Sequence, residues 1–174
     1  ALKPDYAEAH YNLGNTFREL GRLDEAEASY TQAIALKPDL AEAHLNLCDL
    51  LEKTNKLDKA LLVIKNAKVN DARKEAGFLL YEALISFREK DYELAGELIK
   101  RIRKDDLSEE RKPRFIKLKA DWYHHKEDYS AAFEEFKSLN EYVKNSQEYK
   151  KQKSEDYFNH QREKLFQIQQ LQQQ

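Results

Sequence analysis

The 174-residue chain has no methionine, one cysteine, one tryptophan, four glycines and three prolines. So few glycines and prolines leave little turn chemistry for a β-rich or α/β domain. They also cannot build a glycine-rich phosphate loop: "GNTFRELG" at 14–21 lacks the spacing and falls within a helical pattern. Cys48 can form no internal disulfide, so nothing demands an oxidising compartment and a cytoplasmic setting is the expectation. No run of about 18 apolar residues marks a membrane span, and the first twenty residues lack the basic start and apolar stretch of a secretory signal. Neither sign of charge dominates. Thirty Lys and Arg stand against 32 Asp and Glu, a net charge of -2 that gives no general attraction to nucleic acid or an anionic membrane.

Charge of both signs is what the chain has in quantity, at 36% of residues. Rich in Glu, Lys and Ala, the composition suits long helices with one solvated face, and an all-α protein is expected. The sequence also repeats. Ala7, His10, Leu13, Leu23, Ala26 and Ala33 recur 34 residues later as Ala41, His44, Leu47, Leu57, Ala60 and Ala67. Within one period the apolar positions form two helical patterns, roughly 7–20 and 24–36, parted by Gly21, with Asp24 read as an N-cap and Pro38 as a stop. Small residues at Gly14 and Ala26, and again at Cys48 and Ala60, let paired helices approach closely. A helix pair of this size cannot bury its own apolar face and must stack on copies of itself.

His10, Leu13-Gly14, Phe17, Ala26, Tyr30 and Pro38 resemble the signature of the tetratricopeptide repeat. The resemblance implies a right-handed α-solenoid of helix-turn-helix repeats, here with a C-terminal capping helix. Residues 7–40 and 41–74 are the first two repeats. A diverged third repeat over 75–112 places Ala83, Tyr92, Ala95 and Ile99 in the roles of Gly14, Leu23, Ala26 and Tyr30. A diverged fourth over 113–145 uses Ala120, Tyr123, Tyr129, Ala132 and Phe136, and Pro113 suits the first turn of its first helix. The intervals stretch to 35 and 37 residues, although Glu82 and Lys119 stand where the family prefers Leu. Residues 146–174 read as a polar capping helix with a Gln-rich end, its sparse apolar residues being Phe158, Leu165, Ile168 and Leu171. "ALKP" at 1–4 copies 35–38, so residues 1–6 are expected to be the end of a preceding repeat.

No nucleophile with its base, metal cluster or cofactor loop stands out, so these residues are expected to be noncatalytic and to need no cofactor or metal. His10 and His44 occupy a packing position; a packed role and a ligand role both stand, the first favoured. His124 and His125 point to different faces of a helix, a poor metal pair. Arg101, Arg103, Lys104, Arg111, Lys112 and Arg114 are either solvated charge or a docking patch for an acidic partner.

The first helix of each pair lines the concave wall of such a solenoid. Tyr11, Asn12, Asn15, Leu45, Asn46 and Asp49 are the candidate peptide-binding positions there. Asn12 and Asn46 are similar to the asparagine ladder in the repeats of O-linked N-acetylglucosamine transferases, whose amides bind an extended peptide backbone. A structural role for these asparagines is the competing reading. Residues 115–168 resemble the repeat and connecting helix that precede the catalytic domain of bacterial repeat-containing sulfotransferases. The expectation is a scaffold for a protein or peptide, without nucleic acid or membrane, and with a homodimer through the helical ends as a further form. The alternative is a substrate-presenting or oligomerisation module of a larger enzyme, a sulfotransferase.

Overall fold

A computed structural model describes residues 5–67 and 72–145. The stub at 1–4 and the capping tract at 146–174 lie outside the described residues. The chain divides into two compact units, residues 1–106 and 107–174. In the first, α1 (Asp5–Glu19) pairs with α2 (Leu23–Leu36), α3 (Ala41–Lys53) with α4 (Leu57–Asn66), and α5 (Ala72–Arg88) with α6 (Tyr92–Arg101), followed by a 3-10 turn at Lys104–Asp106. The second holds α7 (Lys112–His125) and α8 (Tyr129–Asn145), with Pro113 in the first turn of α7. No strand occurs among the described residues, and the architecture is an all-α helical repeat.

Each pair turns on one residue with positive φ: Gly21 at 73°, Asn55 at 60°, Lys90 at 67° and Glu127 at 60°. These positions follow one another at intervals of 34, 35 and 37 residues, the spacing read from the side chains. Every turn closes with the same two backbone bonds. In the third, Lys90 N–H donates to Phe87 O at 3.2 Å and Asp91 N–H to Ser86 O at 2.9 Å, a Schellman closure. Only the first turn has the glycine this conformation favours, because a β-carbon there crowds the following carbonyl. Lys90→Gly and Glu127→Gly are each expected to raise stability by about 1 kcal/mol, read as a higher urea midpoint at unchanged slope.

The N-cap expected at Asp24 sits two residues earlier in the chain. Arg22 holds that position without a capping bond, while Asp24 and Glu25 lie in the first turn of α2 and Glu25 pairs with Arg22. Among the described residues, side-chain caps are seen in the later pairs, where Asp91 accepts from Leu94 N–H at 3.0 Å and Asp128 from Ala131 N–H at 3.1 Å.

Small residues bring the helices together as the composition requires. A β-carbon on Gly14 would lie 2.6 Å from Cδ1 and Cε1 of Tyr30, whose side chain is fully buried. Tyr30 and Ala26 share a core with Leu47, Leu50, Leu51, Ala60 and Ile85, so α2 is glued to both its own partner and the next pair. Cys48 is buried with its thiol 3.9 Å from Ala60 O, which is the close approach of α3 and α4. In the second unit Ile116, Ala120, Ala132, Phe136 and Leu139 form the core. There the Tyr142 hydroxyl lies 2.6 Å from Glu109 O and 2.7 Å from its carboxylate, donating to either. Burial and that bond push its pKa up to about 12. Folding favours the neutral phenol, so this contact contributes below the ordinary tyrosine pKa and is lost as pH rises through the folded value.

Candidate functional site

The six positions expected to face a ligand lie on α1 and α3, and the structure sorts them by depth. Asn12 is exposed, and Tyr11 and Asn15 are half-buried. Asn46 and Asp49 retain only 6% and 7% of their surface. Leu45 keeps 2%, packed with Cys48, Phe78 and Tyr81 beneath α5, and it corrects the expectation: a side chain so enclosed meets no ligand. Gly77 explains the burial, since a β-carbon there would stand 2.8 Å from Leu45 Cδ2. Only a glycine lets α5 settle that closely on α3.

The polar residues among them form a connected set. Asn15 Oδ1 accepts from the Tyr30 hydroxyl at 2.8 Å and from Asn46 Nδ2 at 2.9 Å, and Asn46 Nδ2 also reaches the Tyr11 hydroxyl at 3.3 Å. One repeat on, the Tyr81 hydroxyl donates to Asp49 Oδ1 at 3.3 Å, and Lys53 Nζ pairs with the other Asp49 oxygen at 2.8 Å. Tyr81 occupies the repeat position of Asn12 and Asn46. That position, filled by Asn46 and then Tyr81, ties each first helix to the one before it. The two asparagines are therefore not equivalent: Asn46 sits in the helix junction, whereas Asn12 has its amide at the surface. Replacing Asn46 disturbs packing as well as any ligand, so Asn12 alone is the clean probe.

Arg88 makes a further junction that sequence reasoning passed over. Its Nη1 donates to Glu52 O at 2.8 Å and Glu52 Oε1 at 2.7 Å, and its Nη2 to Asn55 Oδ1 at 3.1 Å, fixing the end of α5 on the turn after α3. On the second helices, Glu27 of α2 meets Lys56 Nζ at 2.6 Å and Lys59 Nζ at 2.9 Å. Burial pushes the Glu27 carboxyl up, but the two lysines outweigh it and hold the pKa below the usual value. Nothing in the sequence periodicity announces these pairs, because charged residues are abundant at every surface position.

His44 is buried, with Nε2 2.9 Å from Pro38 O and its ring edge-on to Phe78 at 6.5 Å, a packed histidine. His124 and His125 are exposed, and His124 lies against Tyr129. No group of three or more His, Cys, Asp or Glu is placed to hold a metal among the described residues. The basic residues divide between the units. Arg101, Arg103 and Lys104 are exposed at the end of the first, with Arg101 3.8 Å from Glu75 and Arg103 3.8 Å from Asp106. In the second, Arg111 is buried and donates to Ser108 Oγ at 3.0 Å, Lys112 pairs with Glu109 at 2.5 Å, and Arg114 is half-buried. Arg111 thus corrects the docking-patch expectation, having been drawn inward to hold its own loop.

The first unit is a stack of helix pairs joined by polar junctions, and the second holds one further pair. Residues 7–40 match the tetratricopeptide repeat family. No curated protein matches the chain. Among solved structures it is similar to that described as "Functional Characterization of Pseudomonas Aeruginosa pilF", at a TM-score of 0.65 and 20% identity, over 82% of this chain and 63% of that one. The chain thus spans about 63% of the length of that structure, and the likeness is one of fold. Tetratricopeptide repeats generally mediate protein–protein interaction and are typically noncatalytic scaffolds. No helix among the described residues is long and apolar enough to cross a membrane.

Proposed function

We propose that the first unit is an interaction scaffold that holds an extended peptide or protein segment along its first helices. The observation that supports this reading is the Tyr11, Asn15, Asn46 and Tyr30 set, already locked by its own hydrogen bonds, with the amide of Asn12 free at its surface edge. A side-chain amide offers donor and acceptor together and can match a peptide unit irrespective of its side chains. Because the receptor groups are preorganised, the ordering cost falls on the ligand, and a short peptide binds with modest affinity. The test selects peptides of about ten residues from a displayed library and compares the parent with Asn12→Ala. Replacement is expected to weaken the selected peptides by about tenfold, or 1.4 kcal/mol, with unchanged melting. Binders indifferent to Asn12→Ala would remove the amide from the site.

The second reading makes the chain a substrate-presenting or oligomerisation module of a sulfotransferase. It is motivated by the resemblance of residues 115–168, of which 146–168 lie outside the described residues. Reading the gene past Gln174 tests it: a strand, loop and helix suited to a phosphosulfate donor supports it, and a stop codon opposes it.

A further inference from the structure

The junctions of the first unit differ in how their charges are met. Between α3 and α5, Arg88 holds the Glu52 carboxylate at 2.7 Å. The same repeat positions, 34 and 35 residues back, are Arg18 on α1 and Lys53 on α3, so an acid and a base are replaced by two cations. Lys53 is occupied by Asp49, whose other oxygen takes the Tyr81 hydroxyl. Arg18 is half-buried, and no hydrogen bond or carboxylate holds its guanidinium among the described residues. Its charge reaches the polar set on α1 and α3: burial pushes the Tyr30 hydroxyl above the ordinary tyrosine pKa, and the Arg18 charge acts against that push. Tyr11, Asn15 and Arg18, at i, i+4 and i+7, share one face of α1 over about 10 Å. Acceptors on that face are occupied, while donors are not. Asn15 Oδ1 already takes two hydrogen bonds, whereas Asn15 Nδ2 and the Tyr11 O–H donate to no described residue. Arg18 and Lys53 against Asp49 leave one positive charge unmet at the junction.

We propose that this part of the groove takes the side-chain carboxylate of an aspartate or glutamate in the bound peptide, with Arg18 as its cation and Tyr11 and Asn15 as flanking donors. The inference rests on the scaffold reading above and adds to it the class of peptide. Unused donors beside one unmet positive charge suit a ligand group that is rich in acceptors and singly negative. A guanidinium fork matches the two oxygens of a carboxylate, and Arg88 on Glu52 shows such a pair one junction on. The single charge of a carboxylate balances the junction, whereas a phosphate dianion would leave it negative. Partial burial of Arg18 limits screening by salt. Asn12 lies at the surface and Arg18 deeper, so the anion must reach inward while the peptide backbone runs past Asn12. A side chain does this; a chain end would have to leave the amide.

The test uses the whole chain and short peptides selected on it from a displayed library, each then synthesised with free and with capped ends. The selected set is expected to share an acidic residue at one position. Replacing that residue by its amide, or Arg18→Gln in the protein, is expected to weaken binding about tenfold. The two changes together are expected to cost no more than either alone, since both remove the same pair. Arg18→Gln is expected to melt as the parent does, because no described carboxylate loses a partner. The peptide change leaves the protein untouched and decides the question even where Arg18→Gln lowers melting. Lys65→Gln, at an exposed position on α4, is expected to bind as the parent does. Additive losses from the two changes, or selected peptides that lack an acidic residue and ignore Arg18→Gln, overturn the inference. If those peptides still weaken with Asn12→Ala, the scaffold reading survives. Binding that needs a free C-terminal carboxylate also overturns the inference, since the anchor is then a chain end. No binding peptide at all overturns both.

Discussion

Tyr30→Ala is expected to cost about 3 to 5 kcal/mol, the largest loss of any single replacement in the first unit. The ring is fully buried, fills the space left by Gly14, and joins Ala26 to Leu47, Leu50 and Leu51 of the next pair. Its removal opens a cavity that two adjoining helix pairs share. It also deletes the hydroxyl donor to Asn15, though Asn46 still satisfies that acceptor. Tyr30→Phe isolates the second effect and is expected to cost only about 1 kcal/mol. Urea unfolding should be followed by far-UV ellipticity, because the single tryptophan, Trp122, lies in the second unit and reads that unit alone. Equal midpoints for Tyr30→Ala and Tyr30→Phe would show that the ring is not the keystone described.

Leu45→Ala is the second large effect, expected at about 2 to 5 kcal/mol. Leu45 is enclosed by Cys48, Phe78 and Tyr81, and its δ-methyls occupy the space where a β-carbon on Gly77 would sit. Gly77→Ala alone forces those methyls aside and is expected to destabilise, with the better helix propensity of alanine offsetting about 1 kcal/mol of the strain. The double variant places the new methyl in the vacated space and should be more stable than the two separate losses imply. The resulting coupling energy, from a double-mutant cycle, reads out the contact directly. If Leu45→Ala left the unfolding midpoint unchanged and abolished peptide binding, Leu45 would belong to a ligand face after all.

Leu45 also marks where sequence reading stopped. The period, the helix pairs and the small residues at their crossings were legible, because each follows from spacing along one chain. The turn residues show how firmly: Asn55, Lys90 and Glu127 take the left-handed conformation of Gly21 without being glycine, so closure of the helix pair overrides local preference. Which first-helix positions remain open was not legible. That depends on how deeply one pair settles on the next, and Gly77, absent from the equivalent places in the other pairs, lets α5 bury Leu45. The polar junctions were hidden for a similar reason. Asn12 and Asn46 share one repeat position, each two residues after a histidine and just before a leucine, and only the presence of α1 beside α3 turns Asn46 into a helix-to-helix bond while Asn12 faces outward.

Hydrogen exchange of the whole chain, with and without a peptide selected for binding, tests the scaffold reading most directly. The account predicts that bound peptide slows exchange along α1 and α3 around Asn12 and Asn46, and that Asn12→Ala reduces this protection at equal peptide concentration. Protection confined to α7 and α8, or unaltered by Asn12→Ala, would contradict it.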